Sequence, residues 1–137
     1  MVNPATTSIL VVDDSSTMRK IMRGSLARSG FINVTEAGGG REALALMQNT
    51  LFDVVFTDWN MPDGDGLEMI KQVRQMPNYK TVPVIMVTTE QRKEDIIMAM
   101  RCGINAYIVK PFTPRTIKEK LDSVLGVTTP PPACPTT

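Results

Sequence analysis

The sequence predicts an α/β fold in which a parallel β-sheet is covered by helices on both faces. Five short apolar runs recur along the chain, and each is followed by apolar residues at the three- and four-residue spacing of a helix buried on one side. The first run, Ile9–Val12, is unbroken, which is typical of a strand buried on both faces. Strict alternation of strands and helices favours parallel strands, and right-handed crossovers leave few strand orders.

Each element is predicted from a local pattern. The predicted strands cover residues 9–12, 34–37, 54–57, 84–87 and 106–109. We expect the first helix to begin after Ser15 or Ser16 and to end at Gly30. Thr113 and Pro114 are typical of the cap and the first residue of the last helix. The apolar positions of the first helix, Met18, Ile21, Met22 and Leu26, are predicted to make one stripe. The fourth helix is predicted to carry Ile96, Ile97 and Met100, and the buried stripe of the fifth to contain Ile117, Leu121 and Val124.

The composition favours a soluble cytoplasmic protein. The chain has 137 residues, 42% of them hydrophobic, which is enough for the core of one domain. Its N-terminal residues lack the pattern of a secretion signal, and no apolar run approaches the roughly 20 residues of a membrane span. Histidine is absent, which removes histidine-based catalysis and metal binding. Cys102 and Cys134 are far apart in the sequence, and we do not expect a disulfide.

The chain is expected to contain one domain, residues 1–126, followed by a tail of residues 127–137. The tail is rich in proline and threonine and cannot bury much apolar surface, so we expect it to be disordered. The net charge of +1 gives no strong attraction to nucleic acid or to an anionic membrane. No basic helix or second domain follows the first, which disfavours a DNA-binding regulator. The expected state is a monomer.

Residues able to carry chemistry come directly after the predicted strands. Asp13 and Asp14 follow the first strand, Asp58 the third, Thr88 the fourth and Lys110 the fifth. In open parallel sheets, ligands bind at the carboxyl ends of the strands, near the point where the strand order reverses. We therefore expect these five side chains to share one site.

Three carboxylates at one sheet edge require either a proton or a bound cation. Two like charges about 4 Å apart repel by roughly 4 kcal/mol at an effective dielectric constant near 20, so either one carboxylate is protonated or a cation joins them. Oxygen ligands without histidine or cysteine favour Mg²⁺ or Ca²⁺ over zinc, and the small number of carboxylates favours Mg²⁺. The hydroxyl of Thr88 and the ammonium of Lys110 are suited to the oxygens of a phosphoryl group.

Each of these residues also has a structural interpretation. Asp13 and Asp14 would cap the next helix, Asp58 would form an Asx-turn, Thr88 would cap a helix, and Lys110 would be a solvated lysine. Suitable residues at four separate strand ends favour the shared site over these independent explanations.

Several motifs resemble those of response-regulator receiver domains of the CheY type. They are VVDDSSTMR at residues 11–19, TDWNMP at 57–62, DG at 65–66, MVT at 86–88 and VKPFT at 109–113. The resemblance extends from about Ile9 to Gly126. It implies the flavodoxin-like (βα)5 fold with strand order 2-1-3-4-5, for which CheY is itself a standard example.

The resemblance also implies a role for each residue of the site. Asp58 is the expected phosphoacceptor, and Mg²⁺ is the expected cofactor. Asp14 is expected to bind Mg²⁺ directly and Asp13 mainly through water, with the backbone carbonyl of Asn60 as the third protein ligand.

The remaining roles concern the phosphoryl group and the signal. Thr88 and Lys110 are expected to contact the phosphoryl group, and the ring of Tyr107 to turn inward on activation. Asn60 and Glu90 are expected to tune dephosphorylation. The expected partner surface, on the fourth helix, fifth strand and fifth helix, comprises Gln91, Lys93, Ile96, Tyr107, Val109 and Lys120.

The implied function is that of a phosphorylation switch and not of an enzyme, apart from its own phosphorylation and slow dephosphorylation. The expected partners are a CheA-like histidine kinase, a flagellar switch protein or another phosphorylation-dependent target, and a phosphatase. The alternative is a shuttle or decoy receiver in a pathway unrelated to chemotaxis. A phosphatase with an aspartyl phosphate is disfavoured because such enzymes place nucleophile and acid two residues apart after one strand, whereas Asp13 and Asp14 are adjacent and Asp58 lies on another strand. A flavin carrier is disfavoured because the acidic edge would repel a flavin phosphate.

Overall fold

The computed structural model describes residues 5–61, 64–89, 93–110 and 112–125. Its strands are β1 (Ile9–Val12), β2 (Val34–Ala37), β3 (Val54–Asp58), β4 (Asn60–Met61), β5 (Gly64–Asp65), β6 (Val84–Thr88) and β7 (Ala106–Val109). The helices are α1 (Ser16–Arg28), α2 (Gly40–Asn49), α3 (Gly66–Gln75), α4 (Lys93–Arg101) and α5 (Pro114–Leu125), with a 3-10 turn at Pro77–Tyr79. The predicted tail lies outside the described residues, so the division into residues 1–126 and 127–137 stays a prediction.

Five strands form one parallel sheet in the order β2-β1-β3-β6-β7. Counted within this sheet alone, the order is 2-1-3-4-5, so the predicted flavodoxin-like fold is confirmed. The two-residue strands β4 and β5 pair antiparallel beside the end of β3. The order reverses at β1 and β3, the neighbouring strands from which the chain winds outward in opposite directions.

Alternate residues of each strand supply two separate cores. Ile9 and Val11 of β1 pack with residues of α1 and α5 on one face of the sheet. Leu10 and Val12 pack with residues of α2, α3 and α4 on the other. All four residues of β1 are almost fully buried, as the unbroken apolar run predicts. None of the described helices is long and apolar enough to span a membrane.

The ends of α1 follow from its capping residues. The Ser15 hydroxyl accepts a hydrogen bond from the Met18 backbone N–H, which makes Ser15 the N-cap. At the other end the chain passes through Ser29 to Gly30, whose φ of 88° lies in the left-handed region that glycine adopts without strain. The predicted choice between Ser15 and Ser16 as the cap is thus decided for Ser15.

Some of the apolar residues expected in α1 and α4 are exposed. Ile21 belongs to the predicted stripe of α1 but is 48% exposed, and Ile97 and Met100 of α4 are 41% and 40% exposed. Ser25 and Ala99 occupy buried positions in the two helices instead. Apolar spacing finds one face of a helix, but the width of the face that is covered depends on neighbouring elements.

One further correction concerns cysteine. Cys102, buried directly after α4, is disulfide-bonded. The expectation of no disulfide is therefore wrong for this residue. Cys134 lies outside the described residues.

Candidate functional site

The expected site residues lie at the carboxyl edge of the sheet. Asp13 directly follows β1, Asp58 is the last residue of β3, Thr88 is the last of β6, and Lys110 directly follows β7. The strands β3 and β6 are each one residue longer than predicted. Asp58 and Thr88 therefore belong to the sheet, where strand pairing fixes their backbone.

Three carboxylates converge at this edge. One oxygen each of Asp13, Asp14 and Asp58 lies within 4.8 Å of the other two. Asp13 is buried, Asp58 is partly buried and Asp14 is exposed, so the group opens to solvent on the side of Asp14. Within the described part of the chain, it is the one group of three or more histidine, cysteine or acidic residues with the spacing of a metal site.

Lys110 pairs with two of the three carboxylates. Its Nζ lies 3.1 Å from Oδ2 of Asp13 and 3.5 Å from Oδ2 of Asp58. The Lys110 backbone N–H donates to the carbonyl of Thr88 at 2.8 Å, which holds the residue against the end of β6. One ammonium against three carboxylates leaves excess negative charge, which a divalent cation would neutralise.

Backbone amides orient the two inner carboxylates. Oδ1 of Asp13 accepts from the Ser15 N–H at 2.9 Å, and Oδ1 of Asp58 accepts from the Trp59 N–H at 2.8 Å. In both aspartates Oδ2 is the oxygen that faces Lys110. Asp13 therefore forms an Asx-type turn and joins the acidic group, whereas the helix cap that was its structural interpretation is supplied by Ser15.

The ionised form of the Asp58 carboxyl group is disfavoured by its surroundings. Burial, as the largest influence, raises its pKa above the ordinary value of 3.8, and the neighbouring charge of Asp13 raises it further. Lys110 and the Trp59 N–H act in the opposite direction, and the net shift is upward. A cation at this edge would stabilise the ionised carboxylate against both unfavourable influences.

The donor set fits a hard divalent cation. Asp13, Asp14 and Asp58 offer oxygens only, and the open side of the group leaves room for water ligands. Asn60, two residues after Asp58, lies in β4 and pairs with Asp65 of β5. The backbone of Asn60 thus follows Asp58 by two residues, while its side chain is outside the described part of the structure.

The residues expected to carry the signal lie beside this group. Thr88 is almost fully buried and pairs in register with Val109 of β7. Tyr107, two residues earlier on β7, shares the face of Val109 and is partly buried. The Nζ of Lys120 in α5 lies 5.9 Å from the centroid of the Tyr107 ring, a cation–π distance.

The rest of the expected partner surface is described in part. Ile96 and Val109 are partly buried. Lys93 is the first residue of α4, and its side chain is not described. Glu90 and Gln91 lie outside the described residues.

One neighbour of the acidic group was missed by the sequence analysis. Nη1 of Arg19 in α1 donates a hydrogen bond to the backbone carbonyl of Asp13. The motif at residues 11–19 includes this arginine, but the pattern of an amphipathic helix predicts that an arginine at this position is exposed to solvent. Its contact with a strand end six residues earlier depends on how α1 packs.

The fold and the site define a class, namely a doubly wound parallel α/β protein with an acidic, lysine-containing pocket at the switch point of its sheet. The protein-family model described as "Response regulator receiver domain" matches residues 9–122 of the sequence. The chain belongs to this family.

Relatives with known names resemble the chain over most of its length. It is 53% identical over 119 residues to the "Chemotaxis protein CheY homolog" of Campylobacter jejuni, covering 86% of this chain and 92% of the relative. It is 50% identical to "Chemotaxis protein CheY1" of Helicobacter pylori, covering 86% and 96% of the two chains. The crystal structure of Vibrio cholerae chemotaxis protein CheY4 superposes with a TM-score of 0.82 at 39% identity, covering 88% of this chain and 99% of the other.

Proposed function

We propose that this chain is a cytoplasmic, single-domain chemotaxis response regulator that accepts a phosphoryl group on Asp58 in a Mg²⁺-dependent reaction. The arrangement of Asp58 is the observation that carries the proposal. Its carboxylate ends a central strand, lies within an acidic group and faces the ammonium of Lys110 at 3.5 Å. Relatives that are half identical and named chemotaxis proteins support the physiological part.

The proposed donor is a phosphohistidine of a CheA-like kinase. Because this chain contains no histidine, that residue belongs to the partner. A carboxylate oxygen of Asp58 forms a bond to phosphorus in line with the bond to the donor imidazole, which breaks and leaves its electron pair on the imidazole nitrogen. The product is an acyl phosphate on Asp58. Small phosphorylated acids such as acetyl phosphate are donors of the same chemistry.

Asp13, Asp14, Asp58 and the Asn60 carbonyl would hold Mg²⁺, which when bound would supply positive charge for the transferring phosphoryl oxygens. The Trp59 N–H keeps one oxygen of Asp58 oriented before the reaction. No group has to move far, because two neighbouring strands and their backbone amides already hold the aspartates.

Lys110 links the reaction to the rest of the domain. Before phosphorylation its ammonium is shared between Asp13 and Asp58. A phosphoryl group on Asp58 would offer stronger acceptors at the same edge, so Lys110 would exchange a carboxylate partner for a phosphoryl oxygen. The Lys110 N–H bonded to Thr88 then connects this exchange to the end of β6.

The output is a shift between two states of β6, β7 and α4. We propose that the Thr88 hydroxyl moves toward the phosphoryl group and that the Tyr107 ring turns inward. The surface formed by Gln91, Lys93, Ile96, Tyr107, Val109 and Lys120 changes as a result. The phosphoryl group shifts the equilibrium only by its differential affinity for the two states.

The partners of this switch are the kinase, a flagellar switch protein and a phosphatase. Asn60 and Glu90 would tune the lifetime of the acyl phosphate. The protein acts as a monomer, and its catalysis is limited to its own phosphorylation and slow dephosphorylation.

Intact-mass measurement with acetyl phosphate and Mg²⁺ tests the chemistry. The wild-type protein should gain one phosphoryl group, and EDTA should prevent the gain. Asp58→Asn should show no labelling. Asp122→Asn is the matched control, since Asp122 is an exposed aspartate of α5 paired with Lys118, and it should be labelled like wild type. Labelling of Asp58→Asn, or a wild-type protein that stays unlabelled with small donors and with a phosphorylated kinase, would refute the assignment.

Binding to a flagellar switch protein separates chemotaxis from the shuttle or decoy alternative. Beryllium fluoride with Mg²⁺ mimics the acyl phosphate and avoids its decay. A chemotaxis regulator should bind the switch protein much more tightly with beryllium fluoride than without it. Equal binding in both states would favour the alternative while leaving the labelling result untouched.

A further inference from the structure

The guanidinium of Arg19 joins three elements next to the acidic group. Nη1 donates to the backbone carbonyl of Asp13 after β1, and Nε donates to Oε1 of Glu36 on β2 at 3.1 Å. The side chains of Arg19 and Glu36 are 18% and 27% exposed, so the ion pair is largely shielded from solvent. The helix α1 is thus attached to the ends of two neighbouring strands by one side chain.

The carbonyl that Arg19 holds belongs to the peptide bond between Asp13 and Asp14. The other contacts of Asp13 are also fixed, since its N–H donates to the carbonyl of Ala37 at 3.1 Å and its Oδ1 accepts from Ser15. Asp14 is exposed, so the direction of its carboxylate depends on the orientation of this peptide plane. Holding the carbonyl therefore controls where the outer carboxylate of the group points.

Glu36 explains how a cation can be tolerated at this place. An unpaired guanidinium beside the acidic group would repel a divalent ion. Paired with Glu36, it keeps its hydrogen-bonding geometry while part of its charge is offset, since Glu36 also pairs with Arg23. One planar guanidinium donates to a carbonyl through Nη1 and to a carboxylate through Nε. The single ammonium of a lysine cannot reproduce this arrangement.

We propose that Arg19, oriented by Glu36, is a positioning residue for the cation site, because it fixes the peptide between Asp13 and Asp14. The inference rests on the proposed Mg²⁺-dependent function. It assigns Arg19 no contact with the ion or with the phosphoryl group.

The chain provides a matched control in Arg23. It lies one helical turn after Arg19, donates to Oε2 of the same Glu36 at 2.8 Å, and donates to the carbonyl of Val34 at 2.9 Å. No bond joins it to Asp13 among the hydrogen bonds of the described residues. Arg23→Gln therefore removes the same charge from the same helix and the same carboxylate without releasing the peptide.

The test is a titration of the protein with MgCl₂ in which Trp59 fluorescence reports binding of the ion. Trp59 is suited to this because its backbone N–H donates to Oδ1 of Asp58 and because it is the one tryptophan of the chain. Arg19→Gln should weaken Mg²⁺ binding by roughly tenfold, the loss typical of removing a residue that orients metal ligands. Glu36→Gln should weaken it less, and Arg23→Gln should leave it unchanged. Urea midpoints measured in EDTA should fall to a similar extent for the two arginine variants. A difference in stability would then not explain the difference in their Mg²⁺ affinities.

The outcomes separate the inference from the function on which it rests. If wild type shows no Mg²⁺ response in fluorescence or in calorimetry, the proposed function fails and the inference fails with it. If wild type responds and Arg19→Gln matches Arg23→Gln, the inference alone is overturned. Should Arg19→Gln not fold, Glu36→Gln decides, and unchanged Mg²⁺ affinity in that variant would overturn the proposal.

Discussion

Two cationic side chains hold opposite edges of the sheet, and their partners differ in kind. At the carboxyl edge, Lys110 lies against the carboxylates of Asp13 and Asp58. At the amino edge, Arg74 of α3 lies mainly against backbone carbonyls near the starts of β6 and β7. Lys110 has partners that can ionise or bind a metal, whereas the partners of Arg74 are fixed by the fold.

Arg74 has the contacts of a structural brace. Its guanidinium donates to the carbonyls of Tyr79 and Val82, to the carbonyl of Gly103 and to Oδ1 of Asn105. Burial lowers the pKa of Arg74 to about 10, so it stays charged at neutral pH. The side chain connects α3, the 3-10 turn and the turn between α4 and β7.

The difference shows how the same kind of residue can serve stability at one edge and, in the proposed function, switching at the other. A carbonyl cannot change its charge, so these partners of Arg74 do not respond to a proton, a metal ion or a phosphoryl group. The carboxylates beside Lys110 can exchange a proton, a metal ion or a phosphoryl group. A buried cation is therefore part of a switch only where its partners can change charge.

The largest expected effect comes from Arg74→Met. Losing the brace leaves several buried carbonyls without donors and should lower the free energy of unfolding by about 3 kcal/mol. Mg²⁺ should not restore the loss, since the site lies at the other edge. Urea denaturation with and without MgCl₂ measures both quantities. If Mg²⁺ restored the lost free energy of unfolding, the two edges would be coupled and the distinction between them would be wrong.

Lys110→Met should destabilise the metal-free protein by about 2 kcal/mol, less than for a fully buried pair because Lys110 keeps 15% exposure. Mg²⁺ should recover most of this loss, because the ion supplies the missing positive charge and binds only the folded state. Affinity for Mg²⁺ should rise and not fall, since a competing cation has been removed. The same denaturation series, with a fluorescence titration, tests this, and a weakened affinity would contradict it.

A pH series on Asp58→Asn in EDTA should show a smaller effect. The pKa of Asp58 is raised in the folded protein, mainly by burial, so its ionisation opposes folding. The asparagine variant should therefore be more stable than wild type at pH 7. The gain should shrink as the pH falls through the raised pKa and vanish below the ordinary value of 3.8, where the carboxyl group is protonated in both states. A gain that is constant with pH would contradict this explanation.

The smallest effect is expected for Gly24→Ala, a position in contact with neither cation. Gly24 lies inside α1, and an added Cβ would meet no atom within 4 Å. The substitution should raise the free energy of unfolding by about 0.5–1 kcal/mol, because alanine loses less backbone entropy in a helix. Mg²⁺ affinity should stay the same, which gives the baseline for the other variants. Thermal denaturation measures the gain, and a loss of stability would show that α1 is crowded at this point.

The carboxyl edge was largely predictable from the sequence, and the amino edge was not. Asp13, Asp58 and Lys110 each follow a recognisable strand, so the topology of a parallel sheet brings them together. Arg74 follows no such rule. It reads as one more charged residue of an amphipathic helix, and its partners are backbone carbonyls that any sequence would supply.

The sequence by itself determined the order of the elements, the parallel sheet and the acidic residues at its edge, because apolar periodicity and strand ends are local patterns. The tertiary structure decided which contacts form between residues far apart, such as Lys110 with Asp13, 97 positions earlier. It also decided the contact of Arg19 with the Asp13 carbonyl, and the exposure of Ile97 and Met100. Such contacts depend on how helices pack on the sheet, and packing is a property of pairs of elements that neither element contains alone.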